Sequence, residues 1–284
     1  MASSPLWLVV NPASGSNSPE SIATLEQAFA RSGHPPARAI RCPDDDLPDR
    51  AALEAAGVGT LAIFTGDGTA NAQVDRIHGW AGHVLILPGG TQNLLARAMH
   101  GEADAGAIID RLAAGTLRAS ARPAVRSSCG HALVEVVAGP GAMWADVREG
   151  LRDQNLRTIA GALAEAVRET AMGAPVHVAD PPLGRAEGYR ALRVDAAAGT
   201  LTVDGYDADD LSDLAAHASN MIVRRDFREG PHHHLGQAPA ITCRSDQPMA
   251  LMLDGERRDG QCVESLSCVT LPVQFLHSPG HATG

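Results

Sequence analysis

The apolar positions of this chain fall into two textures. Through the first third, short apolar runs alternate with stretches of helical periodicity. Leu6-Trp7-Leu8-Val9-Val10, ended by Asn11-Pro12, has the continuity of a strand buried on both faces. Ser18 then opens a helix, with Pro19 at its first position, Glu20 in its first turn, and Ile22, Leu25, Ala28 and Phe29 as its apolar stripe. The unit repeats, predicting strands at 38–42, 61–64 and 84–87 and helices at 47–56, 69–77 and 91–99. Strands alternating with helices predict a parallel sheet with helices on its faces, and such sheets bind ligands at the carboxyl ends of their strands.

After Arg122-Pro123 the pattern changes to short strand-like runs, from His131–Ala138 through Thr200–Tyr206, Ala238–Cys243 and Met249–Leu253 to Val269–Phe275. A strand is also expected at Ala218–Val223, and one substantial helix at Asn155–Met172. The prediction is an α/β domain over residues 1–124, a mostly β domain over 125–277, and a flexible tail at 278–284.

Composition narrows the chemistry. All 23 basic residues of the 284 are arginine, against 33 acidic residues, for a formal charge of -10. The absence of lysine removes the phosphate-loop lysine and the Schiff-base amine. An acidic chain lacks the footprint of a nucleic-acid binder. Five cysteines without a C-x-x-C pair, and no charged leader ahead of an apolar stretch, point to a reduced, cytoplasmic protein. Aromatic residues make up 3% of the chain, which leaves few hooks for a membrane surface and predicts transient, peripheral docking.

Three polar loops fall at predicted strand ends: Asn11-Pro12-Ala13-Ser14-Gly15-Ser16, Thr65-Gly66-Asp67-Gly68-Thr69-Ala70-Asn71 and Pro88-Gly89-Gly90-Thr91-Gln92-Asn93. Glycines before a helix let backbone N–H groups approach phosphate oxygens, and an aspartate between them can hold Mg²⁺ or accept a proton. One such loop is equally well an ordinary capped turn. Three on successive strands argue for a phosphate ligand. Later, Leu253-Asp254-Gly255-Glu256 follows an apolar run and places two carboxylates on a turn leaving a strand, able to project toward a cleft.

Asn-Pro-x-Ser-Gly at 11–15, Gly-Asp-Gly-Thr-x-Asn at 66–71, Pro-x-Gly-Thr-x-Asn at 88–93 and Leu-Asp-Gly-Glu at 253–256 together resemble the signature set of the diacylglycerol kinase catalytic family. That family includes bacterial soluble lipid kinases and sphingosine kinases. The resemblance implies a two-domain lipid kinase fold, an α/β nucleotide domain followed by a β-rich lipid-binding domain, with ATP and Mg²⁺ as cofactors. It implies transfer of the γ-phosphate to a hydroxyl of diacylglycerol or a related lipid at the membrane surface. A homodimer is left open. Asn11, Ser14, Gly15, Gly66, Asp67, Gly68, Thr69, Asn71, Gly90, Thr91 and Asn93 would meet the nucleotide. Glu256 is the preferred base, supported by Asp254 and Gly255, with Asp67 as Mg²⁺ ligand or orienter; the sphingosine kinase branch would instead make Asp67 the base. Phosphoryl transfer needs chiefly positioning and charge neutralisation, with a base for the attacking hydroxyl.

The chain departs from the pattern at Thr65, where glycine is usual, and at Ser16, where many relatives carry lysine. These departures motivate one alternative, a catalytically weak nucleotide or lipid sensor; a kinase acting on a sphingoid base or a non-lipid polyol is the other. His232-His233-His234 reads as a solvated loop rather than a metal site, because three adjacent residues converge poorly on one ion. Arg224, Arg225 and Arg228 form a local basic cluster.

Overall fold

The computed structural model describes residues 4–14, 17–143, 173–197, 199–207 and 232–281. The helix expected at Asn155–Met172, the strand at Ala218–Val223, the cluster Arg224, Arg225 and Arg228, and the site residue Gly15 with its neighbour Ser16 lie outside them. The chain divides into two compact units, Met1–Pro123 with Thr270–Gly284, and Ala124–Val269.

The first unit follows the predicted alternation: β1 (Leu6–Val10), α1 (Pro19–Arg31), β2 (Arg38–Arg41), α2 (Arg50–Ala55), β3 (Thr60–Thr65), α3 (Asp67–Arg76), β4 (His83–Pro88), α4 (Leu94–His100) and α5 (Ala105–Ala113). The strands lie in the parallel order β2-β1-β3-β4. Every residue of β1 is buried, as its unbroken apolar run requires when helices cover both faces. Ser18 and Ser21 close a reciprocal capping box at the start of α1, with Ser18 Oγ accepting the Ser21 amide at 3.1 Å. α2 is shorter than its pattern predicts because Asp49 caps it, accepting the Ala52 amide at 2.8 Å.

The second unit contains β5 (Arg118–Ser127, which begins in the first), β6 (Gly130–Ala132), β7 (Glu135–Ala138), β8 (His177–Asp180), β9 (Pro182–Leu183), β10 (Ala191–Ala197), β11 (Thr200–Tyr206), β12 (His233–Ala238), β13 (Ala240–Arg244), β14 (Ala250–Leu253), β15 (Glu256–Asp259) and β16 (Val263–His277). One antiparallel sheet runs β12-β11-β10-β7-β14-β15. β13 joins β8 to the first half of β16 in another. Val136, Leu192, Val194 and Leu251 pack in one core with Val178, Ile241, Cys243 and Leu266. Burial there pushes the Cys243 thiol up to about 12, so it behaves as a small apolar side chain.

Two expectations change. His233 and His234 stand in β12 rather than in a solvated loop; they pair with Gly205 and Asp204, and His234 Nδ1 lies 3.1 Å from the Asp204 carboxylate. The chain does not fray at 278. The far half of β16 pairs in parallel with β4 at Gln274↔His83 and Phe275↔Val84, returning the chain to the first unit, and Ser278 is 2% exposed.

Candidate functional site

The carboxyl ends of β1, β3 and β4 are neighbours in the first sheet, so their loops are built side by side. Glycine is what allows them to touch. A Cβ on Gly90 would stand 2.6 Å from the Gly66 Cα, one on Gly66 would stand 2.9 Å from Ser14 Oγ, and one on Gly89 would stand 2.5 Å from the Phe64 carbonyl carbon. Ser14 is 5% exposed, beneath these loops. Asn11 Nδ2 donates to Thr69 Oγ1 at 3.2 Å, tying the first loop to the first turn of α3. Asn17, which the motif pattern does not single out, fastens the same two strands by donating to the Asn11 and Phe64 carbonyls at 2.9 and 3.2 Å. Asn71 is half-buried one turn further along α3.

α3 starts at Asp67, two residues earlier than predicted, and its N-cap Gly66 has no side chain to satisfy the first amides. The start of a helix and the glycine at 68 suit the close approach of an anionic group. α4 is different. It begins at Leu94 rather than Thr91, because Asn93 adopts a left-handed conformation (φ 55°) while its Oδ1 accepts the Gly90 amide at 2.6 Å. Its first amides are already occupied: the Asp67 carboxylate accepts Leu94 N at 3.1 Å and Leu95 N at 3.0 Å, one on each oxygen.

Of the two roles expected of Asp67, these bonds fit the orienter: the carboxylate fixes the Pro88–Asn93 loop against α3, using one lone pair of each oxygen. Thr91 is exposed at the tip of that loop. Thr65, in place of the usual glycine, ends β3 in extended backbone with its side chain 4% exposed and its hydroxyl donating to the Gly66 carbonyl at 3.0 Å. No left-handed backbone is demanded at that position, so a β-branched residue suits it.

In the second unit the Asp-Gly-Glu segment is a tight hairpin turn joining β14 to β15, with Leu253 paired to Glu256. Asp254 (φ 49°) and Gly255 (φ 90°) both take positive φ, as this two-residue turn requires. The expectation that both carboxylates project outward fails for Asp254. It is 3% exposed, and its oxygens accept three backbone amides, Leu133 at 2.6 Å, Val134 at 2.8 Å and Glu135 at 3.0 Å. Its own amide returns a bond to the Glu135 carbonyl at 3.1 Å. Glu256 is exposed. Next to the turn, Glu135 Oε2 accepts from Arg193 Nε at 2.8 Å, and Asp195 and Asp204 lie 3.5 Å from the same guanidinium. Burial alone would lower the Arg193 pKa, but these carboxylates more than offset it and raise it.

Residues 5–121 match the family model of the diacylglycerol kinase catalytic domain. The resemblance read from the motifs therefore holds for the three strand-end loops, and the match supports a phosphotransferase; the Asp-Gly-Glu turn lies beyond the matched residues. A diacylglycerol kinase from Bacillus anthracis superposes with a TM-score of 0.62 at 13% identity, covering 98% of each chain. A putative diacylglycerol kinase from the same organism gives 0.63 at 14% identity, covering 97% of this chain and 98% of that one. At those identities the similarity establishes the fold, an α/β unit followed by a mostly β unit. No curated protein sequence matches the chain. Among the described residues, no helix is long and apolar enough to cross a membrane.

Proposed function

We propose that this chain is an ATP-dependent lipid kinase that transfers the γ-phosphate of ATP to a hydroxyl of diacylglycerol or a related lipid. The observation that carries the reading is the close approach of the three strand-end loops, the second and third backbone to backbone at Gly66, Gly89 and Gly90 and the first through the Ser14 hydroxyl, beside the start of α3 in a segment that matches a kinase family. A chain without lysine has to hold a triphosphate by other means. Backbone amides at Gly68 and Thr69, the α3 dipole and the Asn11 and Asn71 side chains supply donors there.

ATP fits this set. Mg²⁺ would enter with the triphosphate and neutralise its charge, and Asp67 would orient the loop beside it. Glu256, exposed on its turn, would take the proton of the acceptor hydroxyl as that oxygen bonds to the γ-phosphorus and the bond to the bridging oxygen of ADP breaks. Membrane docking would be peripheral and brief, in keeping with the net charge of -10.

The test is transfer of radiolabelled γ-phosphate from Mg-ATP to diacylglycerol, a sphingoid base and monoacylglycerol in mixed micelles. The reading expects a phosphorylated lipid from the unaltered protein and a loss of about 10²- to 10⁴-fold in Glu256→Gln, with the melting temperature unchanged. ATP binding without transfer to any of these acceptors would replace the kinase with a nucleotide sensor.

A further inference from the structure

We propose that Ser278 is a positioning residue for the Pro88–Asn93 loop, locking α4 and α5 to the end of β16 through His100 and Arg111. The proposal rests on the reading of that loop as part of the nucleotide site.

Ser278 and His100 are each 2% exposed, and both lie among the buried polar residues of the first unit. The Ser278 amide donates to the Met99 carbonyl at 3.0 Å, one of the carbonyls that the end of α4 cannot satisfy within the helix. Its hydroxyl stands between Arg111 Nη1 at 2.7 Å and His100 Nδ1 at 2.9 Å. A guanidinium can only donate, so Ser278 Oγ accepts from Arg111 of α5. In its bond with His100 Nδ1 the tautomer of the imidazole sets which atom donates. Burial, reinforced by Arg111, His277 and His281, pushes the His100 pKa down to about 4 and keeps it neutral. The Ile86 backbone of β4 lies near the ring and opposes this shift. Past Ser278 the chain stays down: a Cβ on Gly101, which ends α4 at φ 67°, would stand 2.8 Å from the His281 ring.

The location gives these contacts their consequence. β4 delivers the chain into the loop and α4 carries it away, so His100 and Ile86 sit on the two arms of one loop. α4 has seven residues, about 10 Å of helix, and helices that short depend on tertiary contacts. Its start is held by Asp67, and its end by Ser278. Releasing the end loosens the start, and with it Asn93 and Gly90.

Two measurements on the full chain test this: amide hydrogen exchange at Leu94 and Leu95 without ligand, and Mg-ATP affinity by calorimetry. In Ser278→Ala, exchange at these two amides should speed up about tenfold, the effect expected when a hydrogen bond to a charged group is lost. ATP should bind about tenfold more weakly. Arg111→Met should do the same from the half-buried side, while Ser278→Thr, which keeps the hydroxyl, should restore both. Unchanged exchange at Leu94 and Leu95 in both deletions would overturn the proposal, as would equal acceleration of all core amides in the first unit, the mark of a merely structural residue. Acceleration confined to α4 in a protein that binds no ATP even unaltered would support the lock and refute the nucleotide reading.

Discussion

The turn that presents Glu256 should fail when Asp254 loses its charge, and the geometry sets how far. Asp254→Asn keeps the size of the side chain and tolerates the left-handed φ of 49°. It leaves one acceptor oxygen where two now serve three amides at 2.6, 2.8 and 3.0 Å. The new NH₂ group faces a peptide N–H, so one buried amide loses its acceptor, at about 1–3 kcal/mol. The surviving bonds fall from charge-assisted to neutral, about 0.5–1 kcal/mol each. The sum is about 2–5 kcal/mol. For a unit of this size each kcal/mol moves the melting temperature by about 2–4 °C, so scanning calorimetry should show a drop of about 4–20 °C. Asp254→Ala should fall further, because it abandons all three amides and adds about 1–2 kcal/mol of left-handed strain. ATP affinity should not change, since the strand-end loops belong to the other unit. An Asn variant melting within a degree of the unaltered protein would refute the claim that this carboxylate holds the turn.

Gly90→Ala should cost about 1–3 kcal/mol, because its Cβ would meet backbone at 2.6 Å rather than a movable side chain; calorimetry should find ATP binding weakened about tenfold or more. Asp67→Ala should destabilise the first unit by about 1–2 kcal/mol through the lost cap on α4, read from urea unfolding, and weaken ATP binding, while an unchanged unfolding midpoint would contradict its orienting role. His100 has a folded pKa of about 4 against an ordinary 6.5, so the fold favours its neutral form. Its contribution is full above pH 6.5 and is lost as the pH falls toward 4, a change of about 3 kcal/mol. The urea midpoint should therefore drop over that window less steeply in His100→Asn than in the unaltered protein.

The first unit was legible because its strands are buried on both faces and must be apolar without interruption, as β1 and β4 are. The second unit hides its longest strand. β16 runs from Val263 with buried positions alternating from the start, but one of these is Glu264, at 1% exposed. Its Oε1 accepts the Ser128 hydroxyl at 2.8 Å and the Gln261 amide at 2.7 Å, partners that come from a turn 136 residues away and from its own. A charge at a core position breaks the period-2 pattern, so the apolar run becomes visible only from Val269. The histidines of β12 mislead in the same way. Three polar residues in a row look like a loop, yet two of them pair along β11, beside Asp204 and Asp207.

The candidate site divides along a similar line. Glycine positions were readable because their requirement is local: a loop that turns sharply and meets another backbone excludes a Cβ whatever surrounds it. The role of an aspartate is not local. Asp67 and Asp254 sit in segments that look built to present acids, and both turn instead to amides that arrive from elsewhere in the chain, 27 and 28 residues on for Asp67 and 119 to 121 residues back for Asp254. A carboxylate that has accepted two or three backbone N–H groups is committed to holding those groups in place. Of the three acids in the motifs, Glu256 alone is exposed, and it owes its place to Asp254. The same residue type thus serves twice to fasten the loops, and under the proposed kinase reading the proton transfer would fall to the remaining carboxylate, the one with a longer side chain at the end of a turn.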